Sequence, residues 1–176
     1  MWETILVQGV GFAGLLFFIS SYQIKSNRAL YVCQSLGSLM FALQYVLLGQ
    51  ITGAYTLVVV VLRNMLYAVK NKYPWAAWNG WPWIISAICT VILFITWKGW
   101  ISLLPFIAVQ ASTFLYWTGN AQKIRIANLA FASPAWLIYG IIAGSWGGII
   151  NEVITLTSIL VSIWRYGWKD MGEWKK

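Results

Sequence analysis

Long apolar stretches follow one another along this chain, and the polar residues gather in the short gaps between them. A bilayer span needs roughly 20 mainly apolar residues. Seven stretches meet that requirement, at about 4–22, 30–48, 51–69, 79–97, 101–118, 126–143 and 147–166. Each predicts a membrane-spanning α-helix, because a segment in lipid must satisfy its own backbone hydrogen bonds. Little sequence lies between the stretches, so residues 1–176 read as one integral membrane domain.

The order of features recurs at a fixed offset of 95 residues. Arg28 falls on Lys123 (123 − 28 = 95), Ser38 on Ser133, Gly49 on Gly144, Gly53 on Gly148 and Lys70 on Arg165. The first repeat runs over about 4–72, a linker helix over about 79–97 and the second repeat over about 101–167. Each repeat holds three spans, and a single helix between them returns the chain to the same face. The predicted fold is therefore all-α and membrane-embedded: seven transmembrane helices arranged as two parallel three-helix bundles joined by a linker helix, a 3+1+3 plan. Internal repeats of this kind occur in membrane transporters, whose site lies between the copies near the bilayer midplane.

Composition supports a bilayer setting: 60% of residues are hydrophobic and only 9% charged, against about 25% charged in soluble domains. The net charge of +8 would suit nucleic acid, but its distribution points elsewhere. Lys25, Arg28, Lys70, Lys72, Lys123, Arg125, Arg165, Lys169, Lys175 and Lys176 all fall on one side of the predicted membrane, with Lys98 and Glu3 on the other. Bases accumulate on the cytoplasmic side. The chain thus reads as a multi-pass membrane protein, N-terminus outside and C-terminus cytoplasmic, with the lipid bilayer as partner and no nucleic acid. The N-terminal stretch lacks the basic region and cleavage site of a signal peptide, so the first helix is expected to be retained. Cys33 and Cys89 both fall inside spans, where a disulfide is not expected, and two Cys without His offer no metal site. No cofactor is implied.

Most of the 13 Trp residues sit where spans meet water, as interfacial belts require. The cluster YPWAAWNGWPW (73–83) is denser than a belt needs and offers an in-plane element or a partner surface. Trp136 differs, because it falls near mid-depth. Its repeat mate is Phe41, and one turn further out lie Tyr139 and its mate Gln44. Trp136 and Phe41 are candidates to stack on a planar solute, with ordinary packing as the alternative. Gln34, Ser38, Phe41 and Tyr45 share one face of the second span, and Asn128, Ser133, Trp136 and Tyr139 group similarly on the sixth. Gln8, Ser20 and Ser21 on the first span and Gln110, Ser112 and Thr113 on the fifth complete a set of polar faces that would suit a water-accessible cavity. Small and hydroxyl residues also serve helix packing.

Arg63 and Glu152 are the acid and base placed well inside spans, a costly position that marks function by default. They differ in depth by about six residues, or roughly 9 Å at 1.5 Å per residue. Three readings stay open: a structural pair or separate internal hydrogen bonds, solute contact, and proton coupling through Glu152. Asn64 and Asn151 adjoin them as second partners. Pro105 and Pro134 fall inside the fifth and sixth spans and predict kinks. The first repeat has Gly9, Gly11 and Gly37 nearby instead, which would give soft points to a rocking carrier.

The basic turn Gln23–Arg28, SLGSLMFALQYVLLGQITGA (35–54), LRNMLYAVKNK (62–72), ASPAWLIYGIIAGSWGGIINEVITLTSI (132–159) and the ending Arg165–Tyr166 resemble the YgjV-type family of bacterial inner-membrane proteins over nearly the whole chain. That family brings no catalytic or binding residues with it. Its plan is similar to that of SWEET, PQ-loop and PnuC-type transporters, although Tyr22-Gln23 stands where PQ-loop proteins place Pro-Gln.

Together these features lead to a small-molecule carrier or facilitator with a midplane site. Trp136 and Phe41 would stack on the solute, Gln34, Ser38, Asn128 and Tyr139 would hydrogen-bond it, and Arg63 or Glu152 would add charge recognition. A heteroaromatic metabolite and a sugar both fit as solute. The alternative is a non-transporting membrane module for protein interaction or regulation. Catalysis is not expected, since there is no His and no nucleophile–base pair at useful spacing. One chain holds both repeats, so a monomer can carry a full pathway, with dimers and trimers left open.

Overall fold

The computed structural model describes residues 2–21 and 27–166. Lys25, Tyr22-Gln23, Trp168, Lys169, Lys175 and Lys176 lie outside the described residues, as do the side chains of Glu3 and Arg28. Helix α1 spans Trp2–Ser21, α2 Asn27–Leu47, α3 Ile51–Val69, α4 Trp81–Ile95, α5 Leu103–Trp117, α6 Ala121–Ala127, α7 Ser133–Ala143 and α8 Trp146–Tyr166. A π-helical turn, Asn128–Ala132, joins α6 to α7 as one apolar span, Gln122–Ala143. There are thus seven helical spans, and no strand among the described residues. Five contain apolar stretches of at least 18 residues; Tyr31–Leu47 and Trp81–Ile95 are shorter.

The local chemistry explains the boundaries. Gly49 and Gly144, at φ 73 and 72, close the turns after α2 and α7 in the left-handed region that favours glycine. Both turns share one hydrogen-bond pattern: the Gln50 N–H donates to Tyr45 O, and the Ser145 N–H donates to Gly140 O. Pro82 occupies the first turn of α4, where its missing N–H costs nothing. The expected span 79–97 is cut to 15 residues because Gly80 precedes this start and the helix is over by Thr96. At 1.5 Å per residue α4 is about 22 Å long, short of the roughly 30 Å hydrocarbon layer. Upstream of it, Trp75, Trp78 and Trp81 pack edge to face around the short 3₁₀ turn Pro74–Ala77.

The two prolines behave differently from each other. Pro105 was expected to kink the fifth span, but it lies in the first turn of α5, directly after the 3₁₀ turn Trp100–Ser102, where no intrahelical bond is lost. Pro134 cannot donate to the carbonyl of residue 130 and crowds it. The chain absorbs this in the π turn, where the Ser133 N–H reaches back to Asn128 O. The first repeat's glycines are not breaks, for α1 and α2 run through them unbroken. At Gly11 and Gly37 the helix instead meets another backbone. A Cβ on Gly37 would lie 3.1 Å from Gly14 O, and one on Gly147 would lie 2.5 Å from the backbone of Gly11.

Polarity is distributed as in a bilayer protein. Phe94 and Ile95 on α4 and Trp164 on α8 are 76%, 78% and 86% exposed, whereas Ser21, Ser35, Gln44, Thr113 and Ser145 are 0% exposed. Apolar groups therefore cover the outside, and hydrogen-bonding groups pair within. α1 packs on α2 and α8, α2 on α3, α3 on α5, α5 on the α6–α7 span, and α7 on α8. These contacts close a ring of six spans. α4 lies outside it, against α3 and α5.

Candidate functional site

The ring encloses a cavity of about 1030 Å³, at the upper limit of the pockets that hold drug-sized molecules. Stripes at helical spacing supply its walls: Tyr31, Gln34, Ser38, Phe41 and Tyr45 from α2; Val60, Arg63, Asn64 and Tyr67 from α3; Gly148, Asn151, Glu152, Thr155 and Ser158 from α8. α5 adds Ser112 and Tyr116, and the sixth span adds Asn128, Ser133 and Trp136. Positions 95 apart line it together: Ser38 with Ser133, Phe41 with Trp136, Leu57 with Glu152, Val60 with Thr155 and Arg63 with Ser158. No residue of α4 lines it.

One end is open. The lining reaches the exposed residues Asn71, Thr118, Gly119 and Asn120, on the face that carries Lys70, Lys72, Lys123 and Arg125. At this mouth Lys70 Nζ donates to Trp117 O at 2.7 Å and lies 3.6 Å from the centre of the Trp117 ring. This is a favourable place for a cation, at the C-terminal end of α5.

The other end is shut by two layers. Tyr45 stacks on Trp136 with centroids 6.0 Å apart, and Tyr139 meets both rings edge-on at 5.2 and 5.7 Å. Beyond them a polar knot ties α1, α2 and the start of α8. Gln44 Nε2 donates to Gln8 Oε1, Ser145 Oγ donates to Gln44 Oε1 at 2.7 Å, and Gln8 Nε2 donates to Gly144 O at 2.8 Å. Ser145 also accepts from the Gly148 N–H and so caps α8.

The two charges lie on different walls. Arg63 is 4% exposed. Its Nη1 donates to Ser112 Oγ at 2.7 Å, and Nε and Nη2 donate to Asn64 Oδ1 at 3.4 and 3.3 Å. The guanidinium lies 5.0 Å from the centre of the Tyr116 ring. Glu152 instead accepts from Asn151 Nδ2 at 3.1 Å, with Ser133 beside it. Arg63 and Glu152 form no ion pair, so of the sequence expectations about them the one of separate internal hydrogen bonds describes their geometry.

A sequence profile of bacterial inner membrane proteins, Imp-YgjV, matches residues 5–170. The chain belongs to the Imp-YgjV family. It is thus a membrane protein of a family found in the bacterial inner membrane. No match was found among curated proteins or solved structures.

In this Imp-YgjV protein, seven of the eight expected site residues line one cavity: Gln34, Ser38, Phe41, Arg63, Asn128, Trp136 and Glu152. Tyr139 does not. It is 1% exposed, its hydroxyl accepts from the Gly53 N–H at 3.0 Å, and it lies within 3.5 Å of Gln50 O. Its hydroxyl thereby caps the first turn of α3, which has no side-chain cap of its own. Trp136 and Phe41 do not stack on each other, for Phe41 packs on Phe18 at 5.8 Å and Tyr45 is the ring against Trp136. The other polar candidates divide. Ser112 lines the cavity, Gln8 ties the sealed end, and Gln110 Nε2 donates to Ser86 O of α4 at 3.3 Å. Residues the sequence reading left out include Tyr31, Tyr67 and Thr155; their signal is the same three-and-four spacing that links them to Gln34, Arg63 and Glu152.

Proposed function

We propose that this protein is a small-molecule carrier of the bacterial inner membrane, caught with its solute cavity open to the base-rich face. The observation that carries this reading is the cavity itself: polar, aromatic-walled, open at one end and closed at the other. A packed structural bundle has no use for about 1030 Å³ of space faced by Arg63, Glu152 and five asparagines. By the distribution of bases the open face is cytoplasmic, which puts the N-terminus outside and the C-terminus inside.

The equivalent lining positions and the matching turns at Gly49 and Gly144 support a 3+1+3 plan of parallel repeats, with α4 as the linker outside the ring. Rocking one triplet against the other would part the Tyr45–Trp136–Tyr139 layer and the Gln8–Gln44–Ser145 knot while the mouth closed. The protein would act as a facilitator and catalyse no reaction. Trp136, Gln34, Ser38 and Asn128 would contact the solute, and Phe41 would set the wall beside it.

Purified protein heated in detergent with nucleosides, vitamin precursors, sugars and amino acids tests this. A ligand of the folded state raises the apparent melting temperature in a concentration-dependent way. One solute class is expected to do so, and Trp136→Ala is expected to weaken its binding about tenfold or more by removing a stacking face. No shift with any class, on protein shown to be folded, would contradict the carrier reading.

A further inference from the structure

We propose that the cavity selects an amphoteric aromatic solute, with an anionic group at Arg63, a planar ring towards Tyr45 and Trp136, and a cationic group at Glu152. This deepens the carrier reading and rests on it. The chain has four acids; Glu152 lies within the apolar stretch Trp146–Arg165, whereas Glu3 precedes the apolar stretch Thr4–Ser21. Arg63 brings a guanidinium cation, yet its hydrogen-bond partners Ser112, Thr113 and Asn64 are uncharged. A buried cation whose protein partners are all neutral, facing a cavity, is built for an anion from elsewhere.

Glu152 makes the complementary case. Its repeat mate is Leu57, and the mate of Arg63 is Ser158, so each charge occurs in one repeat only although all four positions line the cavity. Arg63 lies on the α3 wall and Glu152 on the α8 wall, six positions nearer the sealed end in the repeat register (63 − 57 = 6). That offset is about 9 Å along the membrane normal. The site is dipolar, positive towards the mouth and negative towards the aromatic layer. A solute with one charge satisfies one wall and leaves the other uncompensated, whereas one with both satisfies both and is net neutral. Independently, Ser38 Oγ is buried in the same lining without a hydrogen-bond partner. A neutral apolar occupant would leave that hydroxyl unsatisfied.

The test is equilibrium binding to the purified full-length protein in detergent, read by calorimetry. Four probes share one ring: 4-(aminomethyl)benzoate carries both charges, 4-methylbenzoate the anion, 4-methylbenzylamine the cation and 4-methylbenzamide neither. The doubly charged probe is expected to bind at least about tenfold more tightly than any other. Arg63→Gln should bring it down to the affinity of the amine, and Glu152→Gln to that of 4-methylbenzoate. Should Arg63→Gln fail to fold, as thermal unfolding would reveal, Glu152→Gln decides alone. Equal binding of all four probes, or tightest binding of a singly charged one, overturns the inference. Trp136-dependent binding of the neutral probe alone would overturn it while leaving the carrier reading intact. No binding of any probe overturns the inference too, and the metabolite series then judges the carrier reading separately.

Discussion

Replacing Gly147 by valine is expected to cost about 3 kcal/mol or more, or to prevent folding altogether. A Cβ at this position would stand 2.5 Å from Gly11 C and O, and 3.0 Å from Phe12 N. Those are backbone atoms of α1, so no side chain can turn aside to make room. The two helices must separate, and their contact is the one that closes the ring between its first and last spans. Separation would also stretch the Gln8–Gly144 and Gln44–Ser145 bonds beside it. Gly9, only two residues from Gly11, has nothing within 4 Å of its Cβ position. Gly9→Val is therefore the control and should melt close to the unaltered protein. Thermal unfolding in detergent followed by intrinsic fluorescence compares the two, and equal melting temperatures would refute the close α1–α8 approach.

Tyr139 should give the next largest effect. Tyr139→Ala removes a ring that is 1% exposed and touches Tyr45 and Trp136; large-to-small changes of that kind cost about 3–5 kcal/mol. Tyr139→Phe keeps the ring and leaves the Gly53 N–H at the start of α3 without its 3.0 Å acceptor, at about 1–3 kcal/mol. If this residue is a structural cap and not a solute ligand, the Phe variant should melt lower yet bind its solute with unchanged affinity. A loss of affinity with unchanged stability would return Tyr139 to the binding site.

The division between Tyr139 and its neighbours shows what the sequence can and cannot carry. The seven spans were readable because apolar length in a bilayer leaves few alternatives. The stripe of Gln34, Ser38, Phe41 and Tyr45 was readable because spacing of three and four residues fixes a helix face. That Arg63 and Glu152 stand out as candidates followed from the cost of burying charge, with internal bonding, solute contact and proton coupling left open. Which partner each takes did not, since that depends on how α5 brings Ser112 alongside α3. Tyr139 shares a helical face with Trp136, but one turn nearer the closed end it meets the α3 N-terminus and not the cavity. Pro134 announced a disturbed helix, but whether the strain would appear as a kink or as the π turn Asn128–Ala132 was beyond a sequence pattern. Pro105 illustrates the converse, because a boundary only a few residues away turns a helix breaker into a helix starter. Gly11 offers a soft point in sequence, yet α1 runs unbroken through it and its backbone lies against Gly147, a property of the partner helix as much as of the glycine.

Access to the cavity from the base-rich face is measured directly by cysteine accessibility. With Cys33 and Cys89 replaced by alanine, Gln34→Cys would place one thiol in the cavity lining, and Ala54→Cys one in the sealed layer, where Ala54 is 2% exposed. A membrane-impermeant maleimide is then added to vesicles of each orientation. Rapid labelling of Gln34→Cys from the base-rich face, slow labelling from the opposite face and none of Ala54→Cys from either is the expected result. Protection of Gln34→Cys from both faces would mean a closed bundle and would contradict the account.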